Sequence, residues 1–188
     1  MKTSFQPGDH VWWWTRTTRS AERPYRGEVI SICEKTIKIT VDDPEGGLER
    51  VIRHSPIERL QPISMFYSKA LNQGPAILPP SAEWGRFNCH LEVGVDLHVV
   101  RQVKQFENGN FLSYDRTHWV DDFGMIGHAR INRNYVHGPW GLCEEVTVSE
   151  FEQIWNEARA SSQWQQQLAT ARMKDWDTTT RGLEWLKH

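Results

Sequence analysis

The 188 residues predict a mainly β chain with α: a small five-stranded barrel at the N-terminus, followed by an α+β module with C-terminal helices. Three observations predict it. Over the first sixty positions, short β-branched runs recur between clusters of turn-forming residues. Further on, the pair Asn108-Gly109 stands between two apolar runs, which is a hairpin signal. Near residue 150 a capping pattern precedes an apolar stripe of helical period.

The first strand covers residues 8–15 and contains Trp12, Trp13 and Trp14 in succession. Side chains alternate across a strand, so Val11 and Trp13 share one face and Trp12 and Trp14 the other. Val11 and Trp13 are expected in the barrel core. Trp12 and Trp14 then need a second cover, and the joint with the next module is the expected one. Residues 16–25 are polar and end near Pro24, which predicts a loop. Residues 27–33 and 36–41 predict two strands; in the latter, Ile37, Ile39 and Val41 alternate with polar residues. Residues 42–47 form a turn, residues 48–54 a fourth strand, and residues 55–60 a short helical turn before a brief fifth strand.

This order of elements resembles SH3-like and Tudor-like barrels. The likeness is carried by Pro7-Gly8-Asp9-His10-Val11-Trp12-Trp13, Gly27-Glu28-Val29-Ile30, Ile37-Lys38-Ile39 and Ile57-Glu58-Arg59-Leu60. It implies a barrel over residues 1–62 that binds a peptide, a methylated side chain or nucleic acid, or braces a neighbour. A Tudor-type cage would use Trp12, Trp14 and Tyr25 around a cation. The third and fourth strands carry no aromatic residue, so the far wall of such a cage is missing. A nucleic-acid reading rests on Arg16, Arg19, Arg23 and Arg26, opposed by Glu22 alone, with Trp14 and Tyr25 beside them to stack bases. The plainer reading of those arginines is a solvated surface loop.

Residues 63–95 are expected to be an extended, proline-rich connecting segment. Pro62, Pro75, Pro79 and Pro80 forbid a continuous helix, yet Met65, Phe66, Tyr67, Ile77 and Leu78 are too apolar for a loose tether. An α+β module follows over residues 96–160. Its hairpin pairs residues 97–106 with 110–116 through a type I′ turn at Asn108-Gly109, placing Phe106 opposite Phe111 and Val103 opposite Tyr114. Thr147 with Glu150, or Ser149 with Glu152, caps a helix whose stripe is Phe151, Ile154, Trp155 and Ala158. The tail over 161–188 is Trp-rich and helical. A second box at Ser162 and Gln165 would open a helix burying Trp164, Leu168 and Ala171. The pattern Arg101-x-Val103-x-x-Phe106-x-Asn108-Gly109, Tyr114-Asp115 and Glu150-Phe151-Glu152-x-x-Trp155 resembles an uncharacterised class of small bacterial domains. That likeness implies an adaptor or immunity-like role and assigns no residue a function.

Composition argues for binding over catalysis. The net charge is −2, without the basic excess that non-specific nucleic-acid binding needs. Cys33, Cys89 and Cys143 are far apart and form no Cys-x-x-Cys pair, which suits a reducing compartment; a cytoplasmic protein is expected. No signal peptide or apolar membrane span is read from the chain. No nucleophile elbow, zinc motif, phosphate loop or dinucleotide fingerprint occurs, so no catalytic residue, metal or cofactor is assigned. The densest polar cluster, His118, Asp121, Asp122 and His128 with His137 nearby, is the one place for a metal-dependent hydrolase. The leading expectation is a non-enzymatic adaptor with a protein partner; nucleic acid through the basic loop is the alternative, and no membrane partner is expected.

Overall fold

The computed structural model describes residues 4–17, 20–42, 44, 49–76, 80–133, 137–138 and 141–171. Chain contacts divide it into two compact units, Met1–Ser64 and Met65–His188. It is mainly β, with two helices towards the C-terminus. Among the described residues no helix is long and apolar enough to cross a membrane.

In the first unit, strands β1 (His10–Thr17) and β2 (Ser20–Ile32) form one long antiparallel hairpin. The loop expected at 16–25 is therefore largely strand. Pro24 lies opposite Trp14, on the part of β2 that pairs with β1 alone. A strand with one neighbour tolerates proline, because the missing N–H need not join a second ladder. Strands β3 (Ile37–Asp42) and β4 (Arg50–Ser55) follow, then a 3-10 turn at Ile57–Arg59 and the short β5 (Leu60–Pro62). The sheet order is β4-β3-β2-β1-β5, with every pairing antiparallel. Among the described residues no ladder joins β4 to β5, so the expected barrel is seen as a five-stranded sheet without a closing seam.

The core of this sheet follows the period of two. Val11, Trp13, Val29, Ile37, Ile39, Val41 and Leu60 are buried together with Phe5. Gly27 packs closely against β3: a Cβ there would lie 2.7 Å from Val41 Cγ1 and 3.0 Å from the Thr40 carbonyl oxygen.

The second unit holds a six-stranded antiparallel sheet. Its strands are β6 (Phe66–Gln73), β7 (Phe87–Val93), β8 (Val99–Phe106), β9 (Phe111–Asp115), β12 (His137–Gly138) and β13 (Gly141–Glu145), in the order β12-β13-β6-β7-β8-β9. A small hairpin, β10 (Val120–Asp121) with β11 (Gly124–Met125), stands apart from it. Residues 63–95 are thus not a connecting segment, because β6 and β7 are inner strands of this sheet. The prolines misled: Pro75 and Pro80 fall between the strands, and β6 buries Phe66, Ser68 and Ala70 at every second position.

The β8–β9 turn also differs from the expected one. Gly109 carries φ +85° while Asn108 keeps a negative φ, so a type I′ turn is not formed. Gly109 N–H donates to the Phe106 carbonyl at 3.0 Å, and Phe106 N–H to the Asn110 carbonyl at 2.9 Å. This is a three-residue loop with glycine at the left-handed position. The extra residue shifts the register: Phe111 faces Gln105, Val103 faces Ser113 and Gln102 faces Tyr114.

Helix α1 (Val148–Ala160) begins with a complete capping box between Thr147 and Glu150. It buries Phe151, Ile154 and Ala158, and Ile154 and Ala158 pack with Val103, Phe111 and Trp155. Helix α2 (Ser162–Ala169) starts from Ser161, with no side-chain cap bond, so the second expected box is not made. It buries Trp164 and Gln167, whereas Leu168 and Ala171 are exposed. The helical continuation expected around Trp176 and Trp185 lies outside the described residues.

Candidate functional site

The β1–β2 hairpin carries the residues singled out from sequence. Directly opposed residues share a face of a sheet. Trp12 opposes Arg26 and Trp14 opposes Pro24, whereas Tyr25 opposes Trp13 on the other face. Tyr25 packs on the core, 6.5 Å from the Trp13 ring. Trp14 is buried, and its indole N–H donates to Gln61 Oε1 at 3.2 Å; Trp12 is half-buried. Trp12, Trp14 and Tyr25 therefore do not converge as three walls of one cage. Arg16, Arg23 and Arg26 are exposed, but Arg23 and Arg26 oppose Thr15 and Trp12 and so lie on opposite faces. Arg19 lies outside the described residues.

The second unit does not assemble the metal cluster. Among the described residues no group of three or more His, Cys, Asp or Glu side chains is placed to hold a metal. His118 and Asp121 do meet, at 3.0 Å between Nε2 and Oδ2. Asp122 and His128 are exposed, and the His137 side chain is outside the described set. Asp121 is instead a buried structural acceptor. Its Oδ1 accepts from Tyr114 O–H at 3.1 Å, Phe123 N–H at 2.8 Å and Gly124 N–H at 3.1 Å. Its Oδ2 accepts from Gln167 Nε2 at 2.7 Å and faces His118. A carboxylate has about four lone-pair sites, so this one has no acceptor capacity left for a substrate or a metal. Burial, and then the charge of Asp121, hold the Tyr114 phenol well above its usual range.

Beside it runs a ladder of cations and rings. The Arg101 guanidinium lies 5.0 Å from the Phe151 and Trp155 rings, and that of Arg159 lies 4.3 Å from Trp155 and 3.6 Å from Trp164. Arg101 also pairs with Glu92 and Glu152, and Arg159 with Asp115. These contacts fix α1 and α2 to the sheet, each cation–π pair contributing about 0.5–2 kcal/mol.

On the opposite face of the sheet a cleft of about 370 Å³ opens. Phe87, Gln102 and Lys104 line it from the strands, and Phe123 to His128 from the loop across it. Gln102 is committed: its Oε1 accepts from Gly127 N–H at 2.6 Å and its Nε2 donates to Cys89 Sγ at 3.4 Å. Cys89 is buried, which pushes its thiol up to about 12 despite nearby Lys104 and the bond from Gln102. Lys104 Nζ lies 5.4 Å from the Phe87 ring and 5.8 Å from the Tyr114 ring. Among the described residues no carboxylate reaches it. Burial lowers its ammonium below the usual lysine range, and the charge of Asp121 offsets this only in part.

No family model, curated protein or solved structure matches this chain.

Sequence reading missed Lys104 and Gln167. Lys104 had a signal, since it shares its strand face with Gln102 and Phe106, opposite to Val103. Gln167 had none, because it stands in a run of three glutamines, and only the place where α2 docks selects it.

Proposed function

We propose that this chain is a non-enzymatic binding protein of the cytoplasm that acts through protein–protein contacts, with its first unit as an SH3-like module. The order of elements supports that module: a long first hairpin, a sheet ordered β4-β3-β2-β1-β5, and a 3-10 turn before the last strand. Binding over catalysis is supported by the saturation of Asp121, the centre of the densest polar cluster. That none of the three cysteines forms a disulfide suits a reducing compartment.

The observation that carries the reading is β4. It ends the sheet, and among the described residues no strand pairs with its outer edge. Ile52 on it is 54% exposed, and Arg50 and His54, two positions to either side, share its face of the strand. An open edge with an apolar anchor and basic neighbours suits an extended segment bearing acidic side chains, added as a further strand. The basic-loop alternative draws less support, since Arg23 and Arg26 point to opposite faces.

A photo-cross-linking residue at position 52, compared with one at Asn108 in the β8–β9 loop of the second unit, tests this in cells. A discrete protein adduct is expected at 52 and not at 108, and Ile30→Glu, on β2 with β3 between it and the photo-reactive position, serves to check that the adduct depends on the apolar surface. Equal adducts at both positions, or none at 52, would sink the reading.

A further inference from the structure

We propose that the cleft of the second unit is a binding site for a small monocarboxylate with an apolar or aromatic body, Lys104 Nζ taking the carboxylate and Phe87, Phe123 and Ile126 the body. The proposal concerns a different unit from the protein-binding edge and stands independently of it.

Three features of the cleft lead to this chemistry. The first is the lysine. An ammonium partly withdrawn from water loses hydration unless it is paired; Lys104 is half-buried, meets aromatic faces at 5.4 and 5.8 Å, and among the described residues makes no hydrogen bond or ion pair. The second is that its nearest natural counter-ion is spent. Asp121 holds five donors of its own, from Tyr114, Phe123, Gly124, His118 and Gln167. Among the described residues no anion is left to pair with Lys104, and a bound ligand can supply one. The third is the wall. Phe87, Phe123, Ile126, Pro75 and Ala76 are apolar, and the polar Gln102 is already bonded at both ends.

These features select among anions. One ammonium in an apolar wall matches one negative charge. A phosphate dianion calls for several converging donors, such as an arginine fork or a row of backbone N–H groups. The Gly124 and Gly127 N–H groups facing this region are taken by Asp121 and Gln102. A metal ion would be repelled by the lysine. The volume, about 370 Å³, is at the small end of ligand sites.

The partial burial of the lysine adds a measurable handle. Desolvation holds its ammonium below the usual range, and a carboxylate seated against it reverses that shift, whereas a neutral ligand does not.

The test is calorimetric titration at pH 7 of the full chain with benzoate, 3-phenylpropionate, 4-phenylbutyrate and hexanoate, each against the corresponding alcohol. At least one acid is expected to bind roughly tenfold or more tightly than its alcohol, as one charge-assisted contact allows. Lys104→Met keeps the stem and removes the charge; it is expected to erase that preference while leaving the alcohol's affinity within about twofold. Met125→Trp, at the exposed rim, is expected to weaken acid and alcohol alike and covers the case in which the lysine variant fails to fold. In the wild type, NMR titration of the lysine side chains should show the Lys104 midpoint rising with the acid and not with the alcohol. Failure of all four acids to bind, equal affinity for acid and alcohol, a preference that survives in Lys104→Met, or a Lys104 midpoint that the acid does not move would each overturn the proposal.

Discussion

Two charged side chains in the second unit show how surroundings decide whether a buried charge is structure or site. Asp121 is saturated by donors and locks the β10–β11 turn to β9 and α2; Lys104 is half-buried, has no ion pair or hydrogen bond among the described residues, and opens on a cleft. Asp115 is a third case, and it makes a pH prediction. Burial raises its carboxyl pKa, but donors from Thr117 and His118 and the guanidinium of Arg159 outweigh that and hold it below its usual value. The folded state therefore binds this proton less readily than the unfolded one. Its stabilisation is full above the unfolded value near 4 and is lost as pH falls below that through the folded value. Asp115→Asn is expected to lower stability at neutral pH and to flatten the acid limb of the curve, measured by urea unfolding from pH 7 down to about 2.5. An acid limb as steep as the wild type's would show that Asp115 does not drive it. At this scale the sequence was legible where a residue type admits one role, as with Ile37, Ile39 and Val41. It was illegible where role depends on a partner remote in sequence, as with Gln167 and Asp121, 46 positions apart.

At the scale of elements, local chemistry located the turns and caps but did not always select their form. Thr147 and Glu150 form the box that their spacing predicts, because every partner lies within one helical turn. Asn108-Gly109 marks the hairpin, yet the loop takes three residues instead of two. A pair of turn residues fits both forms, and the register that buries Val103 beneath α1 decides between them. The same logic explains β2, where Pro24 was read as a break although its strand has one neighbour there. Gly27 supplies the prediction. Its Cβ would clash with Val41 Cγ1 at 2.7 Å and crowd the Thr40 carbonyl at 3.0 Å, and backbone cannot swing aside as a side chain can. Gly27→Ala is expected to destabilise by about 1–3 kcal/mol, despite the entropy that alanine saves in the unfolded chain. Gly74→Ala, with nothing within 4 Å, is the control and should be near neutral. Denaturant midpoints of the two variants decide it; equal midpoints would mean that β2 and β3 separate at little cost.

At the scale of the whole molecule, the division of the chain comes from where ladders close. Every pairing of β1 to β5 lies within the first 62 residues, and the residues buried with them run from Phe5 to Leu60. Sequence reading found that grouping because its strands are consecutive and short-looped. It missed the membership of β6 and β7, because β6 pairs with β13 some seventy positions later, and no local pattern announces such a partner. A core drawn wholly from residues 5–60 predicts that residues 1–64 fold when expressed alone. A domain of this size buries only about 60% of the surface its unfolded chain exposes, so its core should supply about 3–5 kcal/mol, below the usual range for single domains. Trp12, Trp13 and Trp14 are the tryptophans of that fragment, and Trp13 and Trp14 are buried in the full chain. Its fluorescence is expected to be blue-shifted at low temperature and to move to the red in one cooperative step on heating. Emission already characteristic of wet indoles, with no transition, would mean that the ladder of five strands does not hold this core together by itself.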